Sequence, residues 1–451
     1  MFKLSEDTIL TAQHITSYID NHRQEKARLE KLYKYYKGQH DILNRVMSDA
    51  NKPNNKMVNP YANYITDMMT GYFMGKPVTY TSDDEELVEV VNDTYNQNDE
   101  QAHNAILAKN GSIFGVAYEL VYVDEEANTR FLPLDSREVI PIYNDTLTND
   151  LLYVIRYYSV EDVLTKDAIT KIEVYSKDEV NYYTWGNNGL IQTASQPHVF
   201  GAVPVNEYLN NDERLGDYET VTSLIDAYDK LESDSINDFD LFADAYLTLT
   251  GVELPTDDDG NPVTPDFRNS RLIVLPASDA KADWLIKDTP DTHIENMKNR
   301  IEKDIHTFSK CPKLTDENFA GNASGVAMQY KLMGLENATA KKERAFKKGL
   351  QRRLKLITAI LNIKGNAFDY RNIDITFTRN LPEDLQDKAD LINKLQGLLS
   401  KETLIAQIPF ITDVQGELDR IEEEDKNTIQ PFNIMPRQPL QDDINDGRQN
   451  Q

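Results

Sequence analysis

Between Gly216 and Gly251 the chain runs 34 residues without a glycine or a proline. These two residues end helices most effectively, so an interval free of both lets one helix run on. Val221, Leu224, Ile225, Tyr228, Leu231, Ile236, Phe239, Phe242 and Tyr246 recur there at helical spacing, whereas Asp226, Asp229, Asp234, Asp240 and Asp244 fall away from the stripe. One side is expected to pack and the other to be acidic and solvated. At 1.5 Å per residue, Tyr218 to Tyr246 would extend about 43 Å.

A turn-rich stretch follows, and a second helical pattern opens at Thr289. Ile294, Met297, Ile301, Ile305 and Phe308 form its apolar seam, with Asn299, Lys303, His306 and Lys310 together on the opposite side. Between the two helices, Leu247 to Leu254 and Arg271 to Pro276 read as strands. The run Asp257-Asp258-Asp259-Gly260 lies in the turn that joins them. A third helical pattern covers about Ser324 to Leu361, inside an interval from Lys313 to Leu381 that has no proline; it would span about 57 Å. Asn322 or Ser324 is available as its N-cap. Its distal half sets Phe346, Leu350, Leu354, Ile357 and Leu361 against a basic face of Lys341, Arg344, Lys348, Arg352 and Lys355. That face suits either nucleic acid or the acidic face of a neighbouring subunit. Helix, β insert and helix describe a stalk with a tip, not the crevice of an enzyme.

The flanking regions read as α+β. Glu6 to Gln39 has a helical pattern ending at Gly38, and a second helix runs from Pro60 through Tyr72 to a stop near Gly75-Lys76-Pro77. Asp84 to Tyr95 and Glu100 to Asn110 continue as short helices. The period then changes to two, and Val116–Val123, Thr129–Leu132, Val139–Tyr143, Leu151–Tyr158, Lys171–Ser176 and Glu179–Trp185 read as antiparallel strands. A strand at Ile373–Phe377 and helices at Pro382–Gly397, Ser400–Ile408 and Asp413–Asp425 precede a polar tail with little to bury.

The charge balance, 48 − 75 = −27, argues against tight static binding to DNA or to an anionic membrane, because neutralised phosphates drive such binding. It suits a surface past which a polyanion slides. Cys311 is the single cysteine, so no disulfide can form within one chain. No apolar run is long enough to span a bilayer, and the acidic N-terminus does not resemble a secretory leader. Motifs for chemistry fail when tested. The seven histidines show no paired metal spacing. Gly71 to Pro77 has the wrong spacing for a phosphate loop, with proline at the Mg²⁺-binding position. Aligning Gly260 as the turn glycine of a calcium loop puts Pro255 at the first ligand position. No catalytic residue, metal site or cofactor is expected.

Several stretches, taken in order, resemble the portal, or head-to-tail connector, proteins of tailed double-stranded-DNA bacteriophages, especially long-tailed phages of Gram-positive bacteria. They are Tyr35-Tyr36-Lys37-Gly38, Asn59-Pro60-Tyr61 leading to Gly75-Lys76-Pro77-Val78, Asn110-Gly111 to Tyr122-Val123-Asp124-Glu125, and Leu134-Asp135-Ser136-Arg137-Glu138-Val139-Ile140. Phe319 to Met328 and Phe377 through Pro382 to Ser400-Lys-Glu-Thr403 complete the set. The resemblance covers nearly the whole chain.

It implies an elongated subunit: residues 1–216 as an α+β wing, 217–246 and 290–310 as stem helices, 247–289 as a small β clip and 311–323 as a tunnel loop. Residues 324–361 would be the long tunnel helix, 362–381 a return strand, 382–426 a helical crown and 427–451 a disordered tail. It further implies a homo-oligomeric ring of twelve subunits at a capsid vertex, assembled in the host bacterial cytoplasm. Double-stranded DNA would pass through it, and its partners would be terminase, head-completion or adaptor proteins, and the major capsid and scaffolding proteins. The stem face at Asn299, Lys303, His306 and Lys310 and the loop residues Lys313, Asn318, Phe319 and Asn322 become candidates for the channel. Asp257, Asp258, Asp259, Arg268 and Arg271 become candidates for docking at the clip. Another ring-forming virion adaptor that never encloses DNA is the alternative; a metal-dependent nucleic-acid enzyme built on acidic residues such as Asp238 and Asp240 is a third.

Overall fold

A computed structural model describes residues 2–49, 52–161, 163, 168–186, 189–242, 246–250, 256–259, 272–275, 281–285, 291–313, 325–380, 385–406, 408, 411 and 414–428. The chain divides into two units, Met1–Asn380 and Leu381–Gln451.

In the first unit, α1 (Ala12–Tyr36) begins at a capping box in which Thr11 accepts from the His14 backbone and the His14 ring turns back to the Thr11 N–H. Gly38, at φ +71°, follows its end, in the left-handed region that glycine tolerates best. The helices α2 (Tyr61–Met74), α3 (Glu85–Gln97) and α4 (Glu100–Phe114) follow. The Gly75 segment that superficially suggested a phosphate loop is the C-cap of α2. Asp84 caps α3 by accepting from the Leu87 N–H.

The strands β1 (Phe2–Leu4), β5 (Val139–Asn144), β6 (Leu151–Glu161), β7 (Ala168–Tyr175), β8 (Glu179–Gly186) and β9 (Gly189–Pro197) form a six-stranded sheet in the order β1-β5-β6-β7-β8-β9. It is not wholly antiparallel as expected: β1 pairs in parallel with β5, Phe2 opposite Ile142. A second sheet has the order β10-β3-β4, from β3 (Val116–Val123), β4 (Thr129–Leu134) and β10 (Val205–Leu209). Short strands β2 (Thr79–Thr81) and β14 (Asp374–Thr376) pair with each other, which ties the chain after the long helix back to its beginning.

Three further helices of the first unit are α5 (Thr222–Phe242), α6 (Asp291–Ser309) and α7 (Gly325–Ile363). Between α5 and α6 the described residues hold three strands where two were expected: β11 (Tyr246–Thr250) pairs in parallel with β12 (Leu272–Leu275) and antiparallel with β13 (Lys281–Leu285). The overlooked β13 alternates Lys281 and Asp283 with Ala282 and Trp284, a period of two hidden by its charges.

One core joins α2, α3, α4 and the second sheet to α7 through Phe73, Leu87, Leu107, Phe131, Tyr208, Phe346, Leu350 and Leu354. Gly349 permits this docking, since a Cβ there would stand 2.5 Å from the Tyr208 ring and 2.9 Å from the Glu207 carbonyl oxygen. Another core packs Ile15 and Ile19 of α1 on Ile140, Ile142, Ile155 and Ile172 of the large sheet.

The second unit contains α8 (Leu385–Leu395), α9 (Lys401–Ile405) and α10 (Val414–Thr428). Ser400 caps α9 by accepting from the Thr403 N–H, and α9 packs on α10.

Candidate functional site on the paired helices

The acidic side of α5 is only in part the solvated face expected of it: Asp240 is exposed, but the side as a whole is engaged by the segment between α1 and α2. Asp229 is fully buried; one carboxylate oxygen lies 2.5 Å from His40 Nδ1 and the other accepts from the backbone and side-chain nitrogens of Asn59, at 2.7 and 3.1 Å. Asp226 accepts from the Tyr35 hydroxyl, Asp234 pairs with Arg45 at 2.6 Å, and Asp240 accepts from Asn55. Ser233 and Asn237 accept from the backbone N–H groups of Met57 and Asn55. The physical reason is hydrogen-bond demand. Of the described residues between α1 and α2, only 41–44 form a short 3-10 turn, so the N–H groups of Met57, Asn55 and Asn59 take their acceptors from α5. Asp244 lies outside the described residues.

The apolar side is covered unevenly, with Val221 and Ile225 fully buried near its start. Phe239 on α5 is 73% exposed, and Met297 and Phe308 on α6 are 45% and 59% exposed. The two helices pack together, and Lys298 of α6 reaches Glu232 of α5 at 3.2 Å.

The four residues expected to share one face of α6 do not share one environment. Asn299, Lys303 and Lys310 are exposed. His306 turns inward instead: its Nδ1 stands 2.9 Å from the Cys311 carbonyl oxygen and its ring lies edge-on to Tyr61 and Tyr64. Lys313 pairs with Glu302 at 2.6 Å, so a charge assigned to a tunnel loop is partly neutralised on α6. Asn318, Phe319 and Asn322 lie outside the described residues, as do the alternative N-caps Asn322 and Ser324.

On α7 the basic face divides similarly. Lys341, Arg344, Lys348 and Lys355 are exposed, but Arg352 is half-buried and donates to the Val203 carbonyl at 3.0 Å. Burial pushes its guanidinium below the usual arginine range. In the β insert, Asp257, Asp258 and Asp259 are exposed, and the Asp259 N–H donates to the Asp257 carboxylate at 3.1 Å, a local turn. Arg268 and Arg271 lie outside the described residues.

Sequence periodicity missed the most heavily paired group. Arg353 of α7 is fully buried, donating to Glu119 at 2.8 and 2.5 Å, to Glu100 at 3.2 Å and to Asn104 at 3.0 Å. Glu119 is also met by His103, Asn206 and Tyr208. Burial alone would raise the Glu119 carboxyl, but Arg353 and His103 outweigh it and hold it down at about 2. The signal available was position: Arg353 lies on the apolar stripe, three residues after Leu350 and four before Ile357.

Among the described residues, no group of three His, Cys, Asp or Glu side chains could hold a metal ion, and no helix is long and apolar enough to cross a membrane. Cys311 is buried, which pushes its thiol up to about 12, away from a nucleophile's range.

The paired helices α5 and α6, the β insert between them and a core tied together by Arg353 form a scaffold with exposed helical surfaces. The family described as phage portal protein, SPP1 Gp6-like, matches residues 15–431. This chain belongs to that family. A portal protein of Bacillus phage SPP1 is 28% identical over 450 aligned residues, covering 91% of this chain and 86% of the relative. The portal protein of Clostridium phage phiCD119 is 26% identical over 422, covering 87% and 91%. A solved structure titled as the neck of an empty GTA particle computed with C6 symmetry aligns with 80% of this chain and 89% of its own, at 11% identity and a TM-score of 0.44.

Proposed function

We propose that copies of this chain form a ring at one capsid vertex, the channel through which viral DNA is packaged and later leaves, and the dock for a terminase motor and for head-completion and tail proteins. The family match across residues 15–431 carries this reading. Residues 1–216 form the wing, 217–246 and 290–310 the stem, 247–289 the clip, 311–323 the tunnel loop, 324–361 the long tunnel helix, 362–381 the return to the wing and 382–426 the crown. Twelve subunits close the ring, which assembles in the host cytoplasm with capsid and scaffolding proteins.

The role is structural and not enzymatic; the energy for packaging comes from the motor. The pairing of the acids of α5 with the segment before α2 changes where the channel's charge comes from. Asp229 and its neighbours hold the 40–59 segment, and the exposed Asn299, Lys303 and Lys310 remain the stem's candidates for the lumen. Sparse cations on a −27 subunit give transient phosphate contacts with little net affinity. The uncovered apolar residues Phe239, Met297 and Phe308 suit packing between neighbouring stems.

Electron microscopy of the purified chain, viewed along its symmetry axis, tests this. The expected particle is a ring with an opening wide enough for a duplex; monomers under all conditions, or a ring closed at its centre, would refute it. Proheads built with a ring lacking residues 313–323 would address the loop: undiminished protection of packaged DNA from nuclease removes its role.

A further inference from the structure

The strand β9 closes one end of the six-stranded sheet. Its inner side pairs with β8, and no strand among the described residues pairs with its outer side. Eight of its nine residues are exposed. Natural sheets protect such an edge with charged side chains, prolines or a covering element, because unpaired N–H and C=O groups template further pairing. From Leu190 to Gln196 the sequence is Leu-Ile-Gln-Thr-Ala-Ser-Gln, without a charge or a proline, and the strand's one proline is Pro197 at its end.

The lack of charge extends well beyond the strand. No Asp, Glu, Lys or Arg occurs from Val180 to Asn206, and no other stretch of this sequence is as long without one, although 27% of the chain is charged. The edge also runs into a groove between the six-stranded sheet and the β10-β3-β4 sheet, where Tyr122, Leu132 and Val199 are 38, 37 and 60% exposed and where Arg156 and Glu173 neutralise each other at 3.1 Å.

Charge decides what covers this edge. Each copy carries −27, so two copies repel across any acidic surfaces they bring together, and a charge-free patch lets them meet without that cost. A basic partner would gain from the acidic surface and has no need of a neutral one. We propose that the outer edge of β9, with the adjoining groove, is an interface between copies of this chain. It rests on the ring reading above. Closure of a ring makes the contact heterologous, with β9 of one copy against a different surface of the next.

Ala194, exposed on β9, is the place to test it, in the full-length chain. At about 50 mM salt, Ala194→Glu is expected to raise the concentration for half-assembly, read by mass photometry, about five- to tenfold, from one added like-charge contact per interface. Salt at about 500 mM should reverse most of that rise by screening, and Ala194→Lys should have a smaller effect than the glutamate. In the unsubstituted chain, hydrogen exchange of the β9 amides should slow at least about tenfold on passing from monomer to ring. Normal ring formation by Ala194→Glu, or β9 amides equally fast in monomer and ring, overturns the proposal. Protection that appears only after incorporation into a capsid also overturns it, and assigns the edge to another virion protein. A chain that forms no ring at all refutes the ring reading first, so the two failures are distinguishable.

Discussion

Replacing Arg353 with methionine tests how the long helix is fixed to the body. The side chain is fully buried, as is Glu119, and Glu100 is nearly so. Removing the guanidinium leaves the two carboxylates without the cation between them, though Glu119 keeps His103, Asn206 and Tyr208. Breaking a buried pair by deleting one partner costs about 3–5 kcal/mol. The carboxyl of Glu119, held near 2 instead of its usual 4.5 by Arg353 and His103 together, contributes about 3 kcal/mol. Because its folded value is depressed, that contribution is present above about 4.5 and is lost as pH falls toward 2. Urea unfolding followed by far-ultraviolet circular dichroism, at one fixed protein concentration, should therefore show Arg353→Met less stable by about 3–5 kcal/mol at neutral pH. The gap should narrow on acidification, since the orphaned carboxylate then takes a proton. Adding Glu119→Gln to the variant should recover part of the loss. A variant within about 1 kcal/mol of the parent at neutral pH, or a gap indifferent to pH, would refute the reasoning.

Two other perturbations read the wing and the helix contact. Burial pushes His22 down to about 4, with its ring 2.9 Å from the Tyr157 hydroxyl. Its neutral form is the folded one, so stability is full above about 6.5 and falls by about 3 kcal/mol as pH drops through 4; His22→Gln should flatten urea-unfolding midpoints across that window. Gly349→Ala would press a methyl on the Tyr208 ring and the Glu207 carbonyl, and should lower stability by about 1–3 kcal/mol, seen as a lower melting temperature in calorimetry.

What could be read from the sequence was set by how local its cause is. The helices α5, α6 and α7 follow from apolar residues at helical spacing with no proline to interrupt them, and β3, β6 and β8 follow from runs rich in β-branched and aromatic residues. Strands β1 and β9 have no such signal. β1 is three residues long and exists through its parallel partner β5, and β9 is polar and exposed on almost every residue. The acidic side of α5 was misread for the same reason. Amphipathic spacing states that Asp226, Asp229, Asp234 and Asp240 lie apart from the apolar stripe; it is silent on which side meets the rest of the chain. Usually the apolar side does, because burying carboxylates costs more than it returns unless each is paired. Here the 40–59 segment supplies the pairing in donors: the His40 ring, the Arg45 guanidinium, and the backbone and side chain of Asn59. A sequence reader can look for this by asking which neighbouring loop has backbone groups in need of acceptors, and whether an acidic helix face has the reach to meet them. The consequence is local: α5 turns its paired acids toward the 40–59 segment, and Phe239 on the same helix is left 73% exposed.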